Sequence, residues 1–190
     1  MQANLSPRLP TEIRNPVTGD QIAFLASPLS GDGAELRFRC TLPPRGEGAP
    51  LHKHDSMTEA FAVEAGVLEV DLGAGQKILL TAGEAIAIPP GTPHGFRNPG
   101  DAPVIFLTTS DEGEGLETFL RGMYALAAAG ETTATGMPRD PRALGLLLDY
   151  GNLVMVGLPR GVQNALLRLL GWAARLTDVD RRLAHLVRQP

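Results

Sequence analysis

The chain of 190 residues is long enough for one domain with a full core, or for one domain with a helical appendage. Hydrophobic residues at 43% and charged residues at 20% exclude a disordered chain, and a net charge of −4 with no Lys/Arg stripe argues against a nucleic-acid partner. A single cysteine, Cys40, precludes an intrachain disulfide and suits a reducing, cytoplasmic setting.

The first ten residues, MQANLSPRLP, hold no apolar stretch of the kind a secretory leader needs, so none is expected. Short apolar runs punctuated by Gly, Pro and Asp then follow one another to about residue 111. The turn Thr18-Gly19-Asp20 precedes a strand at Gln21–Ala26. Ala34–Leu42 alternates: Leu36, Phe38, Cys40 and Leu42 share one face, while Glu35, Arg37, Arg39 and Thr41 share the other. Thr58–Glu64 and Val67–Leu72 flank Gly66, and Gln76–Leu80 follows Gly73-Ala74-Gly75. Glu84–Ile88 runs into Pro89-Pro90-Gly91. Pro103–Thr109 is apolar on both faces and predicts cover on both. Strands this short and this regularly spaced predict a β-sandwich or barrel.

The pattern turns helical near residue 112. Leu116, Phe119, Leu120, Met123 and Ala127 form one stripe, ended by Gly130. Asp140-Pro141 reads as an N-cap with proline at the first helical position, and Gly151 as a stop. Pro159 opens a longer helix with Val162, Leu166, Leu169, Leu170 and Ala173 on one side. Thr177-Asp178-Val179-Asp180 resembles a capping box before a short last helix. This reading divides the chain into a barrel at 1–111 and a helical extension at 112–190. The stripes predict packing against the barrel or a dimer partner, with a lid over the site as the sharper alternative. The apolar region 143–174 is broken by Asp149, Pro159, Arg160 and Arg168, so no membrane span is expected, and surface attachment through an amphipathic helix is left open.

Three of the four histidines fall in two spaced segments. The first reads G46-x5-H52-x-H54-x4-E59-x6-G66. Alternation on an extended segment places His52 and His54 on one face, and the turn through Asp55–Thr58 lets Glu59 return to it from the next strand. The second reads G83-x5-P89-x-G91-x2-H94-x3-N98, whose glycine and prolines aim His94 from another strand. Imidazoles and a carboxylate converging in this way suit a divalent transition metal. The fourth histidine, His185, reads as a surface residue of the last helix. Cys40, with no base nearby in sequence, reads as packing.

The two segments together, with sixteen residues between Gly66 and Gly83, resemble the cupin superfamily across roughly residues 30–110. The chain as a whole resembles bacterial single-domain cupins. The resemblance implies a jelly-roll β-barrel that holds one metal ion through His52, His54, Glu59 and His94. It makes Gly46, Gly66, Gly83, Pro89 and Gly91 turn residues and Asn98 structural. One departure is that Ala65, preceded by Glu64, stands where many cupins carry glutamate, and neither is a ligand.

Three histidines and one carboxylate leave one or two coordination positions for water, O2 or a bidentate substrate. Fe(II), Mn(II), Ni(II), Co(II), Cu(II) and Zn(II) all suit this donor set. Phe38, Phe61, Val63, Ile86, Ile88, Phe96 and Phe106 predict an apolar cavity for a small aromatic or enolic substrate, with Arg37, Arg39 and Arg97 solvated. The leading expectation is a metal-dependent dioxygenase in which Glu59 also acts as a base, by analogy with quercetin-type cupins. The alternatives are a non-redox isomerase, decarboxylase or lyase, and a binding protein without turnover. A homodimer is expected.

Overall fold

The computed structural model describes residues 9–157 and 159–187. One antiparallel sheet of six strands runs β1 (Glu12–Arg14), β2 (Gln21–Ala26), β3 (Leu36–Leu42), β10 (Val104–Ser110), β5 (Glu59–Ala65) and β8 (Ala85–Ile88). Opposite it lies a sheet of β7 (Lys77–Thr81), β6 (Val67–Asp71) and β9 (Gly95–Arg97). A two-stranded ribbon, β4 (His52–His54) with β11 (Leu153–Met155), extends that second sheet. The link is a bridge between His52 and His94, each donating its backbone N–H to the other's carbonyl at 2.8 and 2.7 Å. The result is a cupin-type jelly-roll barrel with C-terminal helices.

Alternation in the strands becomes the core directly. Leu36, Phe38, Cys40 and Leu42 of β3 face Val63, Phe61 and Phe106 of neighbouring strands, with Leu68, Val70 and Leu80 closing from the second sheet. Fully burying one such side chain stabilises by about 1.5–3 kcal/mol. Gly66 turns β5 into β6 at φ 84°, with a side-chain position only 2.8 Å from the Pro103 carbonyl, so both conformation and space demand glycine. Asn98 ties three loop ends together: its Nδ2 donates to the Pro43 and Ala102 carbonyls at 2.8 Å, and its Oδ1 accepts from Gly100 at 2.9 Å.

The helical region packs on this barrel. Helix α1 (Gly113–Ala128) puts Leu116 and Tyr124 into the barrel core. Its Phe119 and Met123 also touch a second core of Leu126, Ala143, Leu146, Leu147, Ala174 and Leu183, which joins α2 (Pro141–Tyr150), α3 (Arg160–Leu176) and α4 (Val179–Leu186). A buried ion pair anchors α1: the Glu117 carboxylate accepts from Arg121 at 2.8 Å and from the Ser27 hydroxyl at 2.6 Å. Arg121 also stacks 3.9 Å above the Phe24 ring. A buried charge survives only when paired and hydrogen-bonded in this way.

Four expectations change. Leu153–Met155 is a strand, where the sequence reading has only a link between helices. Only one face of β10 is fully buried, and Ile105, Leu107 and Thr109 are half-buried, because pairing with β3 and β5 covers strand edges and not the outer face. The capping box does not form: Asp178 sits at φ 55° with no capping bond, and the Thr177 hydroxyl donates back to the Ala173 carbonyl at 2.6 Å. The stripe of α3 faces outward, exposing Val162, Leu166 and Leu169, while Gln163, Gly171 and Ala174 are buried. Close approach explains this: Leu170 lies against Gly145 of α2, where an added Cβ would come within 2.7 Å of it.

Candidate metal centre

The centre begins with period two on β4. His52 and His54 are buried on one face while Lys53 is half-buried on the other. Glu59 opens β5 on the same interior face as Phe61 and Val63. His94 arrives just before β9, aimed by a turn in which Gly91, at φ 78°, donates its N–H to the His54 carbonyl at 2.7 Å. The four expected residues are thus brought together, each with a ligand atom within 4.8 Å of the others, and all four are buried. Among the described residues this is the one group of three or more His, Cys, Asp or Glu placed to hold a metal.

Each imidazole is oriented by a backbone carbonyl. Nδ1 of His52 donates to Pro50 at 2.8 Å and Nδ1 of His94 to Thr92 at 3.0 Å. Nδ1 of His54 reaches the carbonyls of Gly151 and Asn152 at 3.2 and 3.3 Å. A carbonyl only accepts, so the proton sits on Nδ1 and the Nε2 lone pairs turn inward. There Nε2 of His52 stands 3.2 Å from Nε2 of His54, and Nε2 of His94 stands 3.0 Å from Glu59 Oε2. Two facing lone pairs beside a buried carboxylate call for a cation between them. The donor set therefore fits a divalent transition metal.

The electrostatics agree. Burial, with the neighbouring His94 and His54 charges, pushes the His52 pKa down to about 4. Burial alone would raise Glu59, but in the metal-free site its interactions with the His54 and His94 rings, favourable when Nε2 carries a proton, outweigh burial and hold the carboxyl down at about 2. Burial would also lower His94, and its bond to Glu59 wins, so its pKa is raised. The Cys40 thiol is pushed up by burial and is packing, as expected.

The sequence reading missed the contribution of the helical region to this site. Strand β11 pairs antiparallel with β4, setting Leu153 opposite His54 and Met155 opposite His52. The carbonyls just before it hold the His54 ring. Arg160, at the start of α3, forms an ion pair with Asp55 beside the ligand strand, one bond at 2.7 Å. A signal was present: Leu153-Val154-Met155 is an apolar triplet between Gly151-Asn152 and Gly157. Three residues are too few for periodicity to show a strand.

The barrel floor also differs from the expected cavity. Phe61, Phe96 and Phe106 pack edge to face with centroids 5.2 to 6.0 Å apart, and so fill the space behind His94. The Arg39 and Arg97 side chains reach solvent, as expected, and pair there with Glu64 and Glu69 at 2.6 and 2.8 Å. Open space lies in a surface cleft of about 520 Å³ lined by Met57, Gly113, Leu116, Tyr150, Gly151 and Asn152, none of them a candidate ligand. Its wall includes Gly151 and Asn152, whose carbonyls hold His54.

Residues 38–110 match the family described as Cupin domain, and this segment belongs to that family. No curated protein matches the chain. Among solved structures, an uncharacterized conserved protein with a double-stranded β-helix domain from Klebsiella pneumoniae is 25% identical, over 48% of this chain and 75% of that one, with a TM-score of 0.42. A sugar phosphate isomerase of the cupin superfamily from Silicibacter pomeroyi is 24% identical over 50% of this chain, at a TM-score of 0.44, and the match spans 60% of that protein's length. A predicted oxalate decarboxylase from Thermotoga maritima is 24% identical over 58% of this chain and 97% of that one, with a TM-score of 0.45.

Proposed function

We propose that the cupin domain of residues 38–110 holds one divalent transition metal through His52, His54, Glu59 and His94, and uses it as a metal-dependent dioxygenase on a small aromatic or enolic compound. The observation that carries the metal is the convergence of three inward Nε2 atoms and one carboxylate, with every Nδ1 committed to a backbone carbonyl. When bound, the metal supplies an open position for substrate oxygen and O2. Glu59, ionised at neutral pH, binds the cation and accepts a proton from an enol or phenol. His94 Nε2, 3.0 Å from Glu59 Oε2, would bind the same cation beside it, its ring held by the Thr92 carbonyl. Phe61, packed 6.2 Å from the His94 ring, keeps the site apolar and dry. Substrate enters from the cleft beside Met57 and Asn152, whose volume suits a small organic molecule. The helical extension 112–190 closes the barrel through β11, and the division at residue 111 marks its start.

The experiment is metal analysis of purified protein, followed by oxygen uptake with catechols, β-diketones and flavonols after reconstitution with Fe(II), Mn(II), Ni(II), Co(II), Cu(II) or Zn(II). Oxygen uptake lost in His94→Ala together with the metal supports the reading. Substrate turnover without oxygen uptake points to a Lewis-acid isomerase, decarboxylase or lyase. A bound small molecule that survives incubation unchanged points to a binding protein.

A further inference from the structure

Helix α3 is the outermost layer of the helical region, and its environment is lopsided. One side, with Gln163, Gly171 and Ala174, is buried against the body. The opposite side exposes Val162, Leu166, Leu169, Trp172 and Leu176, each about half to two-thirds accessible. At 3.6 residues per turn these five fall within an arc of roughly 120°. Five large apolar side chains on one helical face exceed the scattered exposure of an ordinary surface.

Charge decides what covers the face. Between Asp149 and Asp178 the chain carries no acidic residue and three arginines, in a molecule whose net charge is −4. Arg160 is engaged by Asp55. Arg168 and Arg175 make no ion pair among the described residues, and they lie roughly 40 to 60° beyond Trp172 on the same flank of the stripe. A second copy packed antiparallel on this stripe would set that arginine flank against its own equivalent, with no acid to pair. An anionic lipid surface supplies the missing counter-charge in phosphate, and takes the apolar arc below its headgroups. The indole of Trp172 sits between arc and arginines, at the boundary such a ring favours.

We propose that the outer face of α3 docks the protein on anionic lipid surfaces, lying in the plane of the interface and not crossing it. Among the described residues no helix is long and apolar enough to cross. The docked helix is tied at its first residue, Arg160, to Asp55, the neighbour of the ligand His54.

Trp172 is the chain's only tryptophan and is 60% exposed, so its emission reports the contact directly. The test is full-length protein with vesicles of phosphatidylglycerol and phosphatidylcholine, against phosphatidylcholine alone, read by Trp172 emission and co-sedimentation. A blue shift and co-sedimentation with the anionic vesicles are expected. Replacing Arg168 and Arg175 together by Gln should weaken binding roughly thirtyfold, at about 1 kcal/mol for each charge near the surface. Leu169→Glu should abolish the shift, while unchanged circular dichroism and metal content show an intact fold. Three results would overturn the proposal: no shift with either vesicle, equal binding to neutral vesicles, or a blue shift that follows protein concentration without lipid. The last would identify a second copy as the occupant.

Discussion

Phe106 and Leu169 are both large apolar residues in strongly apolar segments, and they end at opposite extremes. Phe106 is 0% exposed in the barrel core and Leu169 is 59% exposed on α3. In β10, pairing on both edges leaves two faces, and only one of them looks into the barrel. The strand has one way to bury its larger side chains. Helix α3 is apolar over most of its circumference, so more than one face can dock. Gly145 of α2 lets Leu170 approach closely and Ala174 is fully buried beside it, and the shape of that contact overrides the larger stripe. Hydrophobicity decides what is buried where the alternatives are few. Shape decides it where they are many.

The strongest test of this contrast removes one side chain from each region. Phe106→Ala should cost about 3–5 kcal/mol, since it empties a position packed between Phe61 and Phe96. A urea midpoint that barely moves would mean the aromatic floor is loosely packed. The next effect falls where the two regions meet. A Cβ on Gly151 would come within 2.2 Å of Leu153 Cδ1 and 3.0 Å of Phe119 Cβ. Gly151→Val should therefore displace the carbonyl that holds His54 and weaken metal binding about 10- to 100-fold, with the barrel still folded. Calorimetric titration with Zn(II) or Mn(II) measures this, and unchanged affinity would deny β11 its part in the site.

A smaller effect is pH-dependent and confined to the barrel. The raised folded pKa of His94 gives metal-free protein stability that is full below the unfolded value of about 6.5 and is lost as pH rises through the folded one. His52, lowered to about 4, acts in the opposite sense: between about 6.5 and 4 the unfolded chain takes up its proton and the folded one does not, so stability falls with falling pH. Glu59, held at about 2, adds a further loss below its unfolded value of about 4.3. The thermal midpoint of metal-free protein should thus peak near pH 6.5 and decline on both sides, by at most about 1.4 kcal/mol per pH unit for each group. Metal release on acidification should begin at His94, where the proton competes most strongly. A midpoint that rises steadily from pH 5 to 8 would contradict the His94–Glu59 pairing. The smallest effect belongs to α3: Leu169→Ser should change stability by no more than about 0.5 kcal/mol. A larger loss would show that the stripe is covered in solution.

Much of the barrel was legible because its signals are local. The β3 alternation at Leu36, Phe38, Cys40 and Leu42 needs only a period of two and one core to face. The spacing of His52, His54, Glu59 and His94 carries the candidate ligand set, because alternate positions on one strand and a Pro-Gly turn leave little freedom in direction. Short strands were missed where three residues cannot display a period, as at Glu12–Arg14 and Leu153–Met155.

The sequence by itself determined which strand faces turn inward and which histidines share a face, since the pleat settles both within a few residues. Only the tertiary structure decided that β11 would pair with the histidine strand, that the carbonyls of Gly151 and Asn152 would orient His54, and that α3 would dock with Leu170 against Gly145 of α2. Each of these joins segments about 25 to 100 residues apart, where backbone hydrogen bonds carry no side-chain signature and the fit of one surface to another exists only once both have formed.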